Sequence, residues 1–347
     1  MEVLRLDTVD AFVVFDLDGA PHAAGGTRLA PDVSEREGEL LARAMTYKFA
    51  VLRSPVGGAK GLVRAYANDR DDAMARFCEE IRPLVASRRF LTGPDLGTYE
   101  ADFAPLRASE WEPHVLNSVV DGVAFEDVLT GFGVAAASDA AMGGLEGRAV
   151  AVEGFGKVGA GVAREFARRG GRVVAVSTLS GCVIDPAGLD VDELWEARAV
   201  HGDDLVAGLG RPVLPHDVLF ETECDVLVPG ARVGSIDGAR ASRIAVSAVV
   251  PAANVPYTAA GLHTLGQRGI AAHADFVCNA AAVVGYTSPA HASQEQVLDE
   301  VERTIVDLVL ASGDHPEGPF AGACAIAEEY LDTWRPAGET PPVPPLA

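Results

Sequence analysis

The hydrophobic pattern changes character along the chain. Residues 11–16 (AFVVFD) form a β-branched and aromatic run that predicts a strand. Over residues 34–48 the apolar positions Leu40, Leu41, Ala44 and Met45 recur at helical spacing and predict a helix. Residues 57–61 are glycine-rich and predict a loop, after which helix and strand patterns alternate to about residue 127. From Leu145 onward the pattern becomes repeated β–α units. Ala149–Glu153 predicts a short buried strand, residues 158–169 a helix and residues 172–177 a second strand. Further strands are expected at 225–228, 244–250 and 270–274, a helix at 297–310, and a loose proline-rich tail over 335–347. The expectation is an α/β chain with a mixed first domain at 1–127. A doubly wound, Rossmann-type domain follows at 128–299, and C-terminal helices from about 300 to 347 pack back on the first.

Composition narrows the function classes. A length of 347 residues accommodates two ordinary domains. No apolar run reaches the roughly 18–20 residues of a membrane span. The opening MEVLRLDTVD lacks the layout of a signal peptide. A cytoplasmic protein with no membrane partner is expected. The net charge of −22 repels a phosphate backbone and argues against nucleic acid as a partner. Cys78, Cys182, Cys224, Cys278 and Cys324 are scattered without CxxC spacing, and the histidines show no HExxH, so no disulfide framework and no metal site are expected. Trp111, Trp195 and Trp334 read as core or interface anchors. Among 28 basic residues only Lys48, Lys60 and Lys157 are lysine. Where surface cations are written as arginine, a lysine is a candidate for chemistry that needs a proton to be lost.

The segment Gly154-Phe155-Gly156-Lys157-Val158-Gly159 is a GxGxxG sequence led in by the strand AVAVE and led out by an amphipathic helix. That context points to a dinucleotide, its pyrophosphate seated on the helix N-terminus. The second strand ends in Ser177 and Thr178 rather than in a carboxylate, and no arginine follows closely. NAD and NADP both remain open, with a lean to NAD.

Met45-Thr46-Tyr47-Lys48 followed by Pro55-Val56-Gly57-Gly58-Ala59-Lys60-Gly61 closely resembles the signature of the glutamate/leucine/phenylalanine/valine dehydrogenase family. Gly25-Gly26-Thr27-Arg28, Leu91-Thr92-Gly93-Pro94-Asp95, Thr130-Gly131-Phe132-Gly133, the 154–159 loop, Cys224-Asp225, Ala253-Asn254 and Asp275-Phe276-Val277-Cys278-Asn279 continue the resemblance in family order. It implies a substrate-binding and oligomerisation domain and a Rossmann NAD(P) domain separated by a catalytic cleft, in a homo-oligomer that interconverts an amino acid with its 2-oxo acid and ammonia. By the same resemblance Lys48 holds the substrate carboxylate, Lys60 gives and takes protons, and Asp95 shuttles a proton to and from ammonia. Thr130 and Asn254 lie near the nicotinamide and the amino group.

A lysine beside another cation in a closed site is pushed toward neutrality, which suits Lys60 to that role. Gly57 and Gly58 are expected to let the backbone crowd the substrate, so that a larger residue there blocks it.

Some residues depart from the family pattern. Asn279-Ala280-Ala281-Ala282-Val283 lacks two usual glycines, and the Asp-Pro after the Lys60 loop is missing. Glutamate-specific members carry a lysine where this chain has Ala24, which cannot pair with a γ-carboxylate. Gly93 resembles the phenylalanine-type choice, and Tyr286 offers an aromatic wall. A neutral, aliphatic or aromatic, side chain is expected. One alternative is an altered member acting on an unusual substrate or without catalysis. The other is a haloacid-dehalogenase-type phosphatase, suggested by Asp16-Leu17-Asp18-Gly19, though Ala20 stands in place of the usual threonine.

Overall fold

The computed structural model describes residues 1–107, 115–120, 123–289, 291–335 and 343–347; Trp111 and residues 336–342 of the tail lie outside the described residues. The chain divides into two compact units, residues 1–112 with 324–345 and residues 113–323 with 346–347.

In the first unit β1 (Glu2–Arg5), β2 (Ala11–Phe15), β3 (Ala23–Ala24), β4 (Thr27–Leu29), β5 (Gly57–Val63) and β6 (Phe90–Leu91) form one sheet. Its order is β1-β2-β5-β3-β6, with β4 also paired to β5. Helices α1 (Glu35–Val51) and α2 (Arg70–Ala86) cover its two faces. Alternate residues of β2 therefore enter different clusters. Ala11, Val13 and Phe15 pack with Phe77 and Ile81 of α2, while Phe12 and Val14 pack with Leu62 and with Ala42 of α1. Helix α1 starts where its cap dictates: Ser34 accepts a hydrogen bond from the Glu37 N–H, and Glu35 and Glu37 occupy the positive first turn.

The expected loop at 57–61 is instead β5, the buried central strand. Its glycines reflect close approach rather than flexibility. A Cβ on Gly58 would lie 1.9 Å from the Ala42 carbonyl oxygen of α1, and one on Gly61 would lie 2.4 Å from Thr27 Oγ1.

The second unit opens with the hairpin β7 (Val119–Val120) and β8 (Val123–Ala124), then α3 (Phe125–Met142). Next come β9 (Ala149–Glu153), α4 (Lys157–Arg168), β10 (Arg172–Thr178), β11 (Gly181–Ile184), α5 (Val191–His201) and α6 (Leu205–Gly208). β12 (Val226–Pro229), α7 (Gly238–Ala241), β13 (Ala248–Val249), α8 (Ala259–Gln267), β14 (Ala271–Ala272), α9 (Asp275–Cys278), α10 (Ala281–Thr287) and α11 (Gln294–Gly313) follow, and α12 (Pro319–Trp334) runs on into the first unit's residues. The sheet order is β11-β10-β9-β12-β13-β14, parallel throughout except for the edge strand β11. The chain leaves β9 toward β10 on one side and later returns to β12 on the other. That reversal places a ligand crevice at the carboxyl end of β9.

Helices α3 and α4 meet at glycines, since a Cβ on Gly131 would lie 2.7 Å from the Gly161 carbonyl carbon. Helix α11 buries Val297, Val301, Ile305 and Val309 and packs on α3, so it sits in the second unit rather than on the first. Of the C-terminal segment, residues 324–345 group with the first unit, where the Tyr47 hydroxyl donates to Glu328 Oε1 at 2.7 Å. Trp195 is half-buried with the Arg164 and Arg198 guanidiniums over its ring. Among the described residues no helix is long and apolar enough to cross a membrane.

Candidate active site

In the first unit the chemistry collects on β5 and the segment after β6. Lys60 is 3% exposed, and its Nζ lies 2.6 Å from Asp95 Oδ2. The strand must bury this side chain because β5 is covered on both faces. The Asp95 segment is fixed by hydrogen bonds: the Asp95 N–H donates to Thr98 Oγ1 at 2.9 Å, and the Thr27 N–H donates to the Gly93 carbonyl at 2.9 Å. Arg28 Nε reaches the same Asp95 Oδ2 at 3.1 Å.

These charges set each other's ionisation. Burial pushes the Lys60 ammonium down from the ordinary lysine value and the Arg28 charge adds to this, while Asp95 opposes it. Burial alone would push the Asp95 carboxyl up, but Lys60, Arg28 and the Leu96 N–H outweigh it and hold it well below the usual carboxylate range. The pair therefore combines a stable carboxylate with an amine brought nearer to losing its proton.

The Met45-Thr46-Tyr47-Lys48 block divides its work. Thr46 Oγ1 accepts the Gly58 N–H at 2.9 Å, and Tyr47 is fully buried against Glu328. Lys48 lies in the last turn of α1 and is 6% exposed. Gly26 permits the approach of Asp95, whose Cβ would be 3.0 Å from a Cβ there. Ala24 is half-buried on β3, opposite Gly58 and Leu91. A Cβ on Gly93 would meet nothing within 4 Å.

The space beside Gly57 and Gly58 is filled by protein: a Cβ would lie 3.0 Å from Ala20 Cβ at the first, and would strike α1 at the second. Packing against Ala20 and α1 is thus a reason of its own for glycine at 57 and 58, beside the expected crowding of substrate by the backbone. The Asp16 motif is likewise structural. Arg43 Nε holds Asp16 Oδ1 at 2.6 Å, and the Asp16 side chain is fully buried.

In the second unit the glycines of the 154–159 loop have distinct tasks. Gly154 turns the chain at φ 81°, where a side chain is strained. A Cβ on Gly156 would meet nothing within 4 Å, whereas one on Gly159 would lie 1.9 Å from the Gly154 carbonyl oxygen. Gly156 also caps α4 without a side-chain bond. An open approach to an uncapped helix N-terminus fits a pyrophosphate. Phe155 is buried and Val158 half-buried, so they shape the loop, while Lys157 Nζ pairs with Asp127 Oδ2 at 3.1 Å.

Ser177 is fully buried, and its Oγ accepts the Gly154 N–H at 3.3 Å, tying β10 to the turn. Thr178 Oγ1 shares a hydrogen bond with Ser180 Oγ at 2.9 Å. Thr130 Oγ1 donates to the Glu126 carbonyl at 3.1 Å. The Tyr286 hydroxyl donates to Glu126 Oε2 at 2.9 Å, with the residue 45% exposed.

Asn254 Oδ1 accepts from Asn279 Nδ2 at 3.0 Å. The next residue, Val255, adopts φ 51°, and its N–H donates to Asp275 Oδ2 at 2.9 Å. Asn279 and Asp275 therefore belong to the candidate site, although sequence reasoning quoted them only within a family block. Asn279 is 6% exposed and its Oδ1 is buried without a partner. The charged cluster holds a further residue that the pattern hid: Glu37 sits in the first turn of α1, its Oε1 2.5 Å from Arg28 Nη1.

Glu153, the last residue of β9, is 1% exposed with His216 Nε2 3.7 Å away. An apolar strand pattern gives no sign of it. Burial pushes its carboxyl up, with His216 opposing. A raised carboxylate value means that the folded state binds the proton more tightly, so stability falls as pH rises past the unfolded value of about 4.3. Glu153→Gln is expected to melt at a higher temperature than the parent near neutral pH and to converge with it in acid, as paired thermal melts across pH will show. Among the described residues no group of three or more His, Cys, Asp or Glu side chains is placed to hold a metal ion.

A family model described as Glu/Leu/Phe/Val dehydrogenase, dimerisation domain, matches residues 5–109, and the Glutamate/Leucine/Phenylalanine/Valine dehydrogenase model matches residues 122–309. Glutamate dehydrogenase of Thermotoga maritima is 34% identical over 91% of this chain and 79% of its own. NADP-specific glutamate dehydrogenase of Saccharolobus shibatae is 28% identical over 82% of this chain and 72% of its own. The Leu-bound hetero-hexameric glutamate dehydrogenase of Thermus thermophilus aligns with a TM-score of 0.80 at 29% identity, covering 93% of this chain and 84% of that one.

Proposed function

Because the chain belongs to the glutamate/leucine/phenylalanine/valine dehydrogenase family and is an amino acid dehydrogenase, we propose that it oxidatively deaminates a neutral L-amino acid, or runs the reverse amination. The observation that carries this reading is the ion pair of the buried Lys60 with Asp95 at 2.6 Å. Lys48 holds the substrate carboxylate. A bound nicotinamide cofactor would supply the acceptor for the α-carbon hydride, which turns the substrate amine into an iminium. Neutral Lys60 takes a proton from water as the water oxygen adds to the α-carbon. Lys60 then returns that proton through Asp95 to the amine and, neutral again, takes the carbinolamine hydroxyl proton as the C–N bond breaks, leaving the 2-oxo acid and ammonia.

Residues 154–159, Thr130, Asn254 and Thr178 would hold the dinucleotide. The buried Oδ1 of Asn279 is an acceptor beside Asn254 that suits an amide donor. We favour NAD over NADP, because no Lys or Arg lies between Thr178 and Ile184 to pair with a 2′-phosphate. Self-association through the first unit is proposed from its match to a dimerisation domain.

Neutral selectivity rests on Ala24, which offers no cation to a γ-carboxylate. Arg28, Arg43 and Lys60 are each already ion-paired. A buried carboxylate without a counter-ion is strongly disfavoured. The test is cofactor reduction with NAD or NADP across a panel of L-amino acids including glutamate, leucine, valine, phenylalanine and tryptophan. Fastest turnover of a neutral member supports the reading, and fastest turnover of glutamate refutes it. Silence with retained cofactor binding would favour an altered substrate.

Gly93 offers a finer probe, because a methyl group there displaces no protein atom. Gly93→Ala is expected to leave the melting temperature unchanged. It should lower kcat/KM for the bulkiest accepted substrate by about 10-fold relative to the smallest, the scale of one methylene in a pocket. Equal loss on all substrates would remove Gly93 from the pocket.

A further inference from the structure

The Lys60–Asp95 pair is built into a larger charged cluster. Asp95 Oδ2 receives Lys60 Nζ at 2.6 Å and Arg28 Nε at 3.1 Å, while Arg28 Nη1 reaches Glu37 Oε1 at 2.5 Å. Arg28 comes from β4, Glu37 from the first turn of α1, and Asp95 from the segment after β6. One carboxylate oxygen thus sits between two cations, and one of those cations is tethered from behind. The Arg28 side chain is 15% exposed and that of Glu37 24%.

We propose that Arg28 is a positioning residue of the proton relay: tethered by Glu37, its guanidinium holds the Asp95 carboxylate against Lys60 and remains as its counter-ion when Lys60 gives up its proton. The inference rests on the deamination reading and deepens it. The chemistry of the two cations differs. Arginine stays charged at any accessible pH, whereas lysine can be neutral. Without Arg28, a neutral Lys60 would leave Asp95 as a largely buried anion with no cation beside it, a costly state. Lys60 would then keep its proton, and the relay would stall near neutral pH.

The charged groups acting on Lys60 are Asp95 from the segment after β6, Arg28 from β4 and Glu37 from α1. α1 also carries the buried Lys48, and β2 presents the apolar Val14 opposite Lys60. Burial and Arg28 push Lys60 down, and Asp95 and Glu37 push it up. Loss of Arg28 therefore moves Lys60 upward. A mere strut joining α1, β4 and the Asp95 segment would lower stability when removed and leave that ionisation where it was.

The experiment follows Lys60 directly and does not need turnover. With three lysines in the whole chain, competitive acetylation with acetic anhydride across pH, read by mass spectrometry, resolves each one, and Lys157 serves as the internal control. In Arg28→Met the Lys60 inflection is expected to rise by about one pH unit, a roughly tenfold fall in the neutral amine at fixed pH. The Lys157 inflection should stay in place. The acid limb of kcat/KM should move with it, with partial recovery of rate in alkali. Arg28→Lys should restore most of the shift. Glu37→Gln, at the rim of the cluster, should move the inflection the other way and keeps the proposal exposed even where Arg28→Met does not fold. An unmoved Lys60 inflection in the folded variants overturns the proposal. A shifted inflection in a protein that oxidises no amino acid would leave the charge arrangement standing and remove the deamination reading instead.

Discussion

Lys60→Ala is expected to lower kcat for amino-acid oxidation by about 10²–10⁴-fold, the range of a lost general acid–base group. Dinucleotide affinity, measured by calorimetry, should stay within about threefold, since removal of a proton-transfer group lowers kcat rather than cofactor binding. The truncation is a clean one. Asp95 keeps Arg28 at 3.1 Å and the Leu96 N–H when Lys60 is removed, so no bare carboxylate is left behind. The converse change, Asp95→Asn, would leave Lys60 and Arg28 facing each other without the anion between them. Breaking a buried pair in that way costs roughly 3–5 kcal/mol and mixes stability with rate. Retained turnover in a folded Lys60→Ala protein would remove Lys60 from the mechanism.

The second large effect lies in the backbone. Gly58→Ala places a methyl carbon 1.9 Å from the Ala42 carbonyl oxygen and 2.4 Å from the Thr46 N–H nitrogen. Neither contact is the yielding end of a flexible side chain, so α1 has to move off β5. Overpacking of a core usually costs about 1–3 kcal/mol and sometimes more, and a backbone clash belongs at the upper end. Thermal melting and hydrogen exchange over residues 35–63 should both show loss of protection. The substitution also displaces Thr46, whose hydroxyl takes the Gly58 N–H at 2.9 Å. A variant that melts like the parent and differs only in KM would leave Gly58 the role of substrate neighbour alone.

The same glycines show where the sequence was legible and where it was not. Strong local periodicity marked α1, β9, α4 and β10 to within three residues, because each carries its own cap or apolar face. The 57–61 segment defeated that reasoning. Composition there speaks for a loop, whereas the segment is a strand only because β2, β3 and β4 pair with it and α1 lies on it. Those are long-range facts with no local trace. The strand expected at 244–250 shrank to Ala248–Val249, and the helix at 297–310 fell in the second unit because its apolar face matches α3.

The candidate site followed the same division. Lys60 and Asp95 stood out through family blocks and through the scarcity of lysine. Glu37, Asp275 and Glu153 act through tertiary neighbours and were passed over. Ser177 ends the expected strand, but its hydroxyl is turned to Gly154.

Val255 sets a condition on how this sequence can drift. A β-branched residue at φ 51° sits in the left-handed region at a cost of roughly 1–3 kcal/mol, and the Asp275 carboxylate takes its N–H. The neighbouring Asn254 inherits its orientation from that arrangement. Positions 255 and 275 are therefore not independent in descent. A lineage that loses the carboxylate first releases the turn and misplaces Asn254 while the sheet remains whole, whereas one that first acquires glycine at 255 can lose it with little harm. The order of two substitutions, and not only their identity, decides which descendants keep the amide at 254 in its present orientation.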